Sequence, residues 1–285
     1  MKTTFSILAA ILLAITFGGC SATTNKEMSS TTPDTRGAGD QVEEIMPGML
    51  QGYLPMESQL DSLVFVLPSP AEDSAQQAMD TAWADSMQTL RGTPRWDLAT
   101  SDADLHFPAP ADTFSCALGI EVSEENTPAL YMLLWRTLTD IGLAPYTAKD
   151  AYQRERPFMV RNETVCTPQD EEALRKDGSY PSGHTAVGWG WSLILTELSP
   201  ENAEALLARG RSFGESRNVC NAHWYSDVVA GRMTGAAAVA KLHSNEEFLE
   251  AMSAAREDIA QAREAGLTPA ADCAAEEETL ATPLY

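Results

Sequence analysis

Gly178-Ser179-Tyr180-Pro181-Ser182-Gly183-His184-Thr185 is the stretch on which the reading of this chain turns. A serine and a glycine follow a proline, and a histidine stands where a run of small and apolar residues begins. Ser182 suits the cap of a helix that starts at this point, and Gly183 lets backbone come close to a ligand. N–H groups at a helix start favour anions. Upstream stand Lys149 and Arg156-Pro157; downstream stand Ser216-Arg217, His223 and Asp227. Written in order, the pattern is K-x6-R-P, P-S-G-H and S-R-x5-H-x3-D. These blocks combine cations, two histidines, a carboxylate and a glycine-containing turn. Phosphoryl transfer needs those parts: positive charge on the non-bridging oxygens, a nucleophile and a proton for the leaving group.

The pattern resembles that of the type 2 phosphatidic acid phosphatase superfamily. That group includes bacterial class A non-specific acid phosphatases, membrane lipid phosphatases and vanadium haloperoxidases. The run from Gly178 to Thr185 is most similar to the soluble class A enzymes, and the resemblance spans roughly residues 115–245. It implies an all-α domain, a helical bundle of the acid phosphatase and haloperoxidase type. It also implies a metal-independent acid phosphatase that needs no cofactor and hydrolyses a broad range of small phosphomonoesters through a phosphohistidine.

Carried over residue by residue, the resemblance makes His223 the nucleophile rather than Ser182. A neutral imidazole nitrogen can attack phosphorus. Asp227, four residues on, can accept the proton of the other ring nitrogen and so fix the tautomer. His184 becomes the general acid and later the base that activates water. Lys149, Arg156 and Arg217 bind the phosphate with Ser182 and Gly183; an arginine fork can hold two phosphate oxygens at once. Arg154, Glu155 and Arg161 lie outside the pattern and read as surface or supporting residues. His106 and His243 read as structural or surface residues. Tyr180 and Trp224 flank the blocks and are candidates to shape a leaving-group pocket. Two rival readings are a vanadium haloperoxidase, whose vanadate would occupy the same cage, and a lipoprotein that binds a phosphorylated ligand without turnover. The class A-like run and modest length disfavour the first. The second has no use for two histidines and an aspartate.

The ends carry different information. Lys2 precedes an apolar run from Phe5 to Phe17, closed by Gly18-Gly19-Cys20. This reads as a secretory segment over residues 1–20 of lipoprotein type, with Cys20 as the lipidated residue. The expected location is the periplasm, anchored to the outer membrane, since Ser21 follows the cysteine. Residues 21–45 are polar and read as a flexible linker. The helical domain is expected over 46–265 and an acidic, solvated tail over 266–285. The net charge of −22 excludes nucleic acid as a partner. No stretch after the N-terminal segment is long and apolar enough to span a bilayer, which excludes a polytopic lipid phosphatase. A homo-oligomer is compatible with the sequence. Cys116, Cys166, Cys220 and Cys273 remain, an even number that suggests two disulfides in an exported protein. Three connectivities are open; the nearness of Cys166 and Cys220 to site blocks favours that pair.

Periodicity predicts helices. Leu130, Leu133, Leu134, Leu138 and Ile141 recur at helical spacing between Pro128 and Gly142. Further helices are expected over Thr185–Leu198, Glu201–Ser216, Ser226–Leu242 and Glu246–Glu264, with a short one near Lys149–Arg156. Ala205, Leu206, Ala208 and Phe213 are core candidates, as are Phe248, Leu249, Met252 and Ile259. Residues 46–115 read as loops and short helices, and no run of alternating strands appears.

Overall fold

The computed structural model describes residues 42–284. The secretory segment, Cys20 and nearly all of the expected linker lie outside the described residues. The chain enters on a small antiparallel hairpin, β1 (Glu44–Met46) and β2 (Met49–Leu50). Helices follow: α1 (Ala75–Met87), α2 (Pro94–Ser101), α3 (Ser115–Leu118), α4 (Pro128–Leu143), α5 (Tyr146–Tyr152), α6 (Pro157–Val160) and α7 (Glu171–Leu174). After the Pro-Ser-Gly-His turn come α8 (Gly183–Leu198), α9 (Ala203–Val219), α10 (Tyr225–Leu242), α11 (Glu246–Glu264) and α12 (Cys273–Leu280). The hairpin is the only sheet among the described residues, so the fold is all-α. No described helix is long and apolar enough to cross a membrane.

α8 is the central element. It packs on α9, α10 and α4, and α11 lies along α4. Trp191, Ile194 and Leu195 of α8 are fully buried among Leu130, Leu133, Leu134 and Ile141 of α4. The leucine periodicity of α4 therefore marks its core face, and Pro128 occupies its first turn. α10 can lie close to the start of α8 because Gly231 faces it. A Cβ there would stand 2.5 Å from the Ser182 carbonyl oxygen. We expect Gly231→Ala to destabilise the fold by about 1–3 kcal/mol, read as a lowered denaturation midpoint, because backbone must move to admit the methyl.

Three expectations need correction. Residues 46–115 contain a full three-turn helix, α1, capped by Ser74, whose side chain accepts from Gln77 N. On α9, Ala205 and Ala208 are exposed, and the buried face is Leu206, Arg209, Gly210 and Phe213. The charge of Arg209 hid that face; it is buried against Asp102. On α11, Leu249 is 44% exposed and the core face runs Phe248, Met252, Ala255, Ile259 and Ala262.

Two disulfides tie the ends of the bundle, Cys116–Cys273 and Cys166–Cys220. The acidic stretch after residue 266 holds α12, fixed by the first disulfide and by Glu276 against Arg209 at 3.1 Å. The second joins the segment after α6 to the end of α9.

Candidate active site

The turn between α9 and α10 explains the S-R-x5-H-x3-D spacing. The Arg217 carbonyl in the last turn of α9 accepts from both Ala222 N and His223 N, and Asn218 Nδ2 donates to the His223 carbonyl. Asn221 takes the left-handed conformation this reversal needs (φ 61°). His223 is thereby folded back against Arg217. Asp227 sits in the first turn of α10 and accepts from Trp224 N at 2.7 Å, closing the helix start.

His223 is buried with both ring nitrogens assigned by their neighbours. Arg156 Nη1 lies 2.9 Å from Nε2. A guanidinium can only donate, so Nε2 accepts and the ring proton sits on Nδ1. Nδ1 faces Asp227 Oδ2 at 3.4 Å, with Ser179 Oγ also 3.4 Å away and itself donating to that carboxylate. Burial pushes the His223 pKa well below the ordinary value, and the charges of Arg156, Lys149 and Arg217 push it further. The ring is therefore neutral.

Lys149 and Arg156 converge on one loop. α5 ends at Gln153, which is left-handed, and Arg156 stands just before Pro157 opens α6. Lys149 Nζ donates to the Gly178 carbonyl at 2.7 Å and to Asp177 Oδ2 at 3.0 Å. Arg156 Nη2 donates to the same Oδ2 at 3.0 Å. Gly178 is required because a Cβ would fall 2.9 Å from the Lys149 carbonyl. Arg217 completes the set: it is 1% exposed, its Nε has no partner, and Nη1 has a long contact with Cys220 Sγ at 3.9 Å. Burial, then the Arg156 charge, lowers Lys149 to about 8 and Arg217 to about 9. The cluster is short of negative charge, the condition that a bound dianion would relieve.

Ser182 caps α8, accepting from Thr185 N at 3.2 Å and Thr185 Oγ1 at 2.9 Å. Gly183 opens the helix facing a cavity of about 460 Å³. Lys149, Arg156, Asp177, His184 and His223 line the same cavity. His184 Nε2 lies 2.9 Å from the Ala103 carbonyl, which can only accept. A proton added to this ring therefore goes to Nδ1. Burial, then Arg217, holds the His184 pKa well below its ordinary value in the empty site.

The remaining walls of the cavity are mostly apolar and include Met46, Met49, Leu105, Leu143, Tyr146 and Leu174. The hairpin reaches this lip because α4 holds it: Thr139 Oγ1 donates to the Leu50 carbonyl, Trp135 Nε1 to the Gly48 carbonyl, and Asp140 accepts from Tyr53 N and Leu54 N. A larger cavity, about 680 Å³, lies between α9 and α12, but Arg209 and Arg211 in its wall are paired with Glu276 and Glu215, Arg95 is bonded to Ser212 and Ser216, and no histidine lines it.

Several sequence expectations shift here. Tyr180 and Trp224 do not line the cavity; Tyr180 Oη donates to the Leu67 carbonyl and Trp224 Nε1 to the Glu155 carbonyl. His106 is a surface residue as expected, its side chain 85% exposed beside Asp104, and it stands at the rim of the cavity. Of the two roles expected of it, surface or supporting, Arg154 takes the supporting one. Buried, it bridges Asp227 Oδ1 at 2.6 Å and Asp80 Oδ2 at 2.7 Å, and Asp80 also accepts from Ser226 N. Ser216, part of the motif, lies away from the cavity and links Arg95 to Asp102. Asp177 and Asp80 carry no spacing signal in the sequence, and the supporting contacts of Ser179 and Arg154 are not legible there either.

The PAP2 superfamily model matches residues 128–246, the span that contains every one of these blocks. The chain is 42% identical over 213 residues to an acid phosphatase of Zymomonas mobilis, covering 73% of this chain and 79% of that protein. It is 40% identical over 210 residues to a non-specific acid phosphatase of Providencia stuartii, covering 73% and 85% respectively. A non-specific acid phosphatase of Salmonella typhimurium is 38% identical over 211 residues, 74% of this chain and 84% of the relative. With the motif blocks gathered around one cavity and this similarity running over most of the described domain, the chain belongs to the bacterial class A non-specific acid phosphatases of the PAP2 superfamily, a family of phosphoric monoester hydrolases.

Proposed function

We propose that this chain hydrolyses small phosphomonoesters outside the cytoplasm through a phosphohistidine at His223, without a metal. The observation that carries this reading is the neutral His223, with its Nδ1 proton toward Asp227, its Nε2 lone pair toward Arg156, and the charges of Lys149 and Arg217 close enough to be felt by the ring. Nε2 attacks phosphorus while the bond to the leaving oxygen breaks. The developing imidazolium is stabilised by Asp227, which Arg154, Ser179 and Trp224 N hold in place. Lys149, Arg156 and Arg217, with N–H groups at the start of α8, take the charge of the non-bridging oxygens. His184 gives its Nδ1 proton to the leaving alcohol. The resulting neutral ring then takes a proton from water as the water oxygen attacks phosphorus and the P–N bond breaks. The cations supply the charge neutralisation for which other phosphatases use metal ions.

Every polar contact in this scheme addresses the phosphate, and apart from His106 and the Tyr146 hydroxyl the rest of the cavity wall is apolar. Breadth of substrate follows, with aryl and nucleoside phosphates fitting better than highly polar ones. The two disulfides suit an exported protein.

The test is rapid quenching of enzyme with labelled substrate in EDTA. The expected result is turnover that persists in EDTA and an acid-labile, base-stable label on the protein. An acid-stable label, or activity lost to EDTA and restored by a divalent cation, overturns the mechanism.

A further inference from the structure

Asp177 places a carboxylate where an anionic substrate oxygen would sit. A single oxygen, Oδ2, accepts from Lys149 Nζ and from Arg156 Nη2, each at 3.0 Å. That is how an oxygen of a bound phosphate would bridge the same two cations. Asp177 lines the cavity together with His184 and His223.

The two cations do not need this carboxylate to stay in position. Lys149 Nζ also donates to the Gly178 carbonyl at 2.7 Å. Arg156 donates through Nε to the Leu174 carbonyl at 2.9 Å and the Asp177 carbonyl at 3.1 Å, and through Nη1 to the Ala222 carbonyl at 3.0 Å. Main-chain oxygens thus fix both side chains. The Asp177 carboxylate adds charge rather than geometry, and its side chain is 34% exposed while its cationic partners are buried. It has solvent to turn into; they do not.

We infer that Asp177 is a built-in competitor: its carboxylate neutralises Lys149 and Arg156 in the empty enzyme and is displaced when a phosphate group enters. An incoming dianion must break two charge-assisted hydrogen bonds and accept a like charge nearby. Asp177 therefore weakens binding of substrate and of product phosphate alike, and its return to the cations helps expel the product. This rests on the reading of the cavity as a phosphate site.

Calorimetric titration of inorganic phosphate into the EDTA-treated protein tests it, comparing wild type with Asp177→Asn. The asparagine keeps the shape and removes the charge. The expected result is a Kd for phosphate at least about fivefold lower in the variant, with KM for p-nitrophenyl phosphate falling in step. Asp177→Glu, which restores the charge, should return Kd toward the wild-type value. Should Asp177→Asn fail to fold, Asp177→Ser carries the same comparison. A Kd that is unchanged or higher in the neutral variant overturns the inference and makes Asp177 a positioning residue for Lys149 and Arg156. Absence of phosphate binding in both wild type and variant overturns the phosphate site itself, and the competitor role with it.

Discussion

Replacing His223 by alanine is expected to lower kcat for p-nitrophenyl phosphate by about 10⁴-fold or more, near 5.5 kcal/mol of barrier. No other side chain lining the cavity can take over. Of the other two histidines lining the cavity, His184 has one nitrogen committed to the Ala103 carbonyl and the other required for the leaving group, and His106 is held beside Asp104 at the exposed rim. Lys149 is held by a carbonyl and a carboxylate. The variant should still fold, because the turn is built from main-chain contacts of residue 223 to Arg217 and Asn218, which alanine keeps. It should also still bind inorganic phosphate with affinity near that of wild type, because Lys149, Arg156 and Arg217 remain. Loss of turnover with retained binding separates a nucleophile from a binding residue. Activity within tenfold of wild type, in a folded variant that binds phosphate, would sink the phosphohistidine mechanism.

Much of the helical half of the fold is legible where a helix advertises its buried face by period and its start by a cap or proline. α4 is the plainest case: five apolar residues at helical spacing, and all five buried. α9 was read less well because its packed face is partly ionic. Arg209 and Arg217 are buried there, the first against Asp102, while two of its alanines face solvent. Hydrophobicity alone assigns those positions the wrong way round. α1 was missed for a related reason: its buried positions are Asp80, Ala84 and Met87, and the aspartate is buried because Arg154 and Ser226 satisfy it. A polar contact between residues distant in sequence leaves no periodic trace.

The same distinction governs the site. The motif blocks were legible because their spacing is imposed by local backbone geometry: the turn around the Arg217 carbonyl fixes S-R-x5-H, and the helix start fixes H-x3-D. Residues that support them through tertiary contacts were not. Arg154 reaches Asp80 across 74 positions, and His184 is oriented by the Ala103 carbonyl 81 positions away. Part of the apolar wall comes from a hairpin at residues 44–50 and from Leu105, which precede the motif region altogether. Tyr180 and Trp224 were reasonable candidates for the walls by adjacency in sequence. Both are instead committed to carbonyls of segments distant in sequence, Leu67 and Glu155.

His184→Asn is expected to separate the two halves of the reaction. With p-nitrophenyl phosphate the leaving group departs without a proton, so the first step survives and the phosphohistidine accumulates because water is no longer activated. With a simple alkyl phosphate the first step itself needs the proton, and turnover should fall by about 10²–10⁴-fold without a labelled intermediate. An equal loss with both substrates, and no accumulation with either, would exclude the general-acid role. The pH profile gives an independent check. In the empty site burial and Arg217 hold the His184 pKa below its usual value, so the catalytic proton is lost as pH rises through a low value. A bound phosphate group offsets the cations and raises that pKa. The alkaline limb of kcat, which reports the complex, should therefore lie at higher pH than that of kcat/KM, which reports the free enzyme. Toward acid pH the proton is present in both states and this limb vanishes. In His184→Asn the alkaline limb of kcat should disappear; its persistence there would assign the proton to another group.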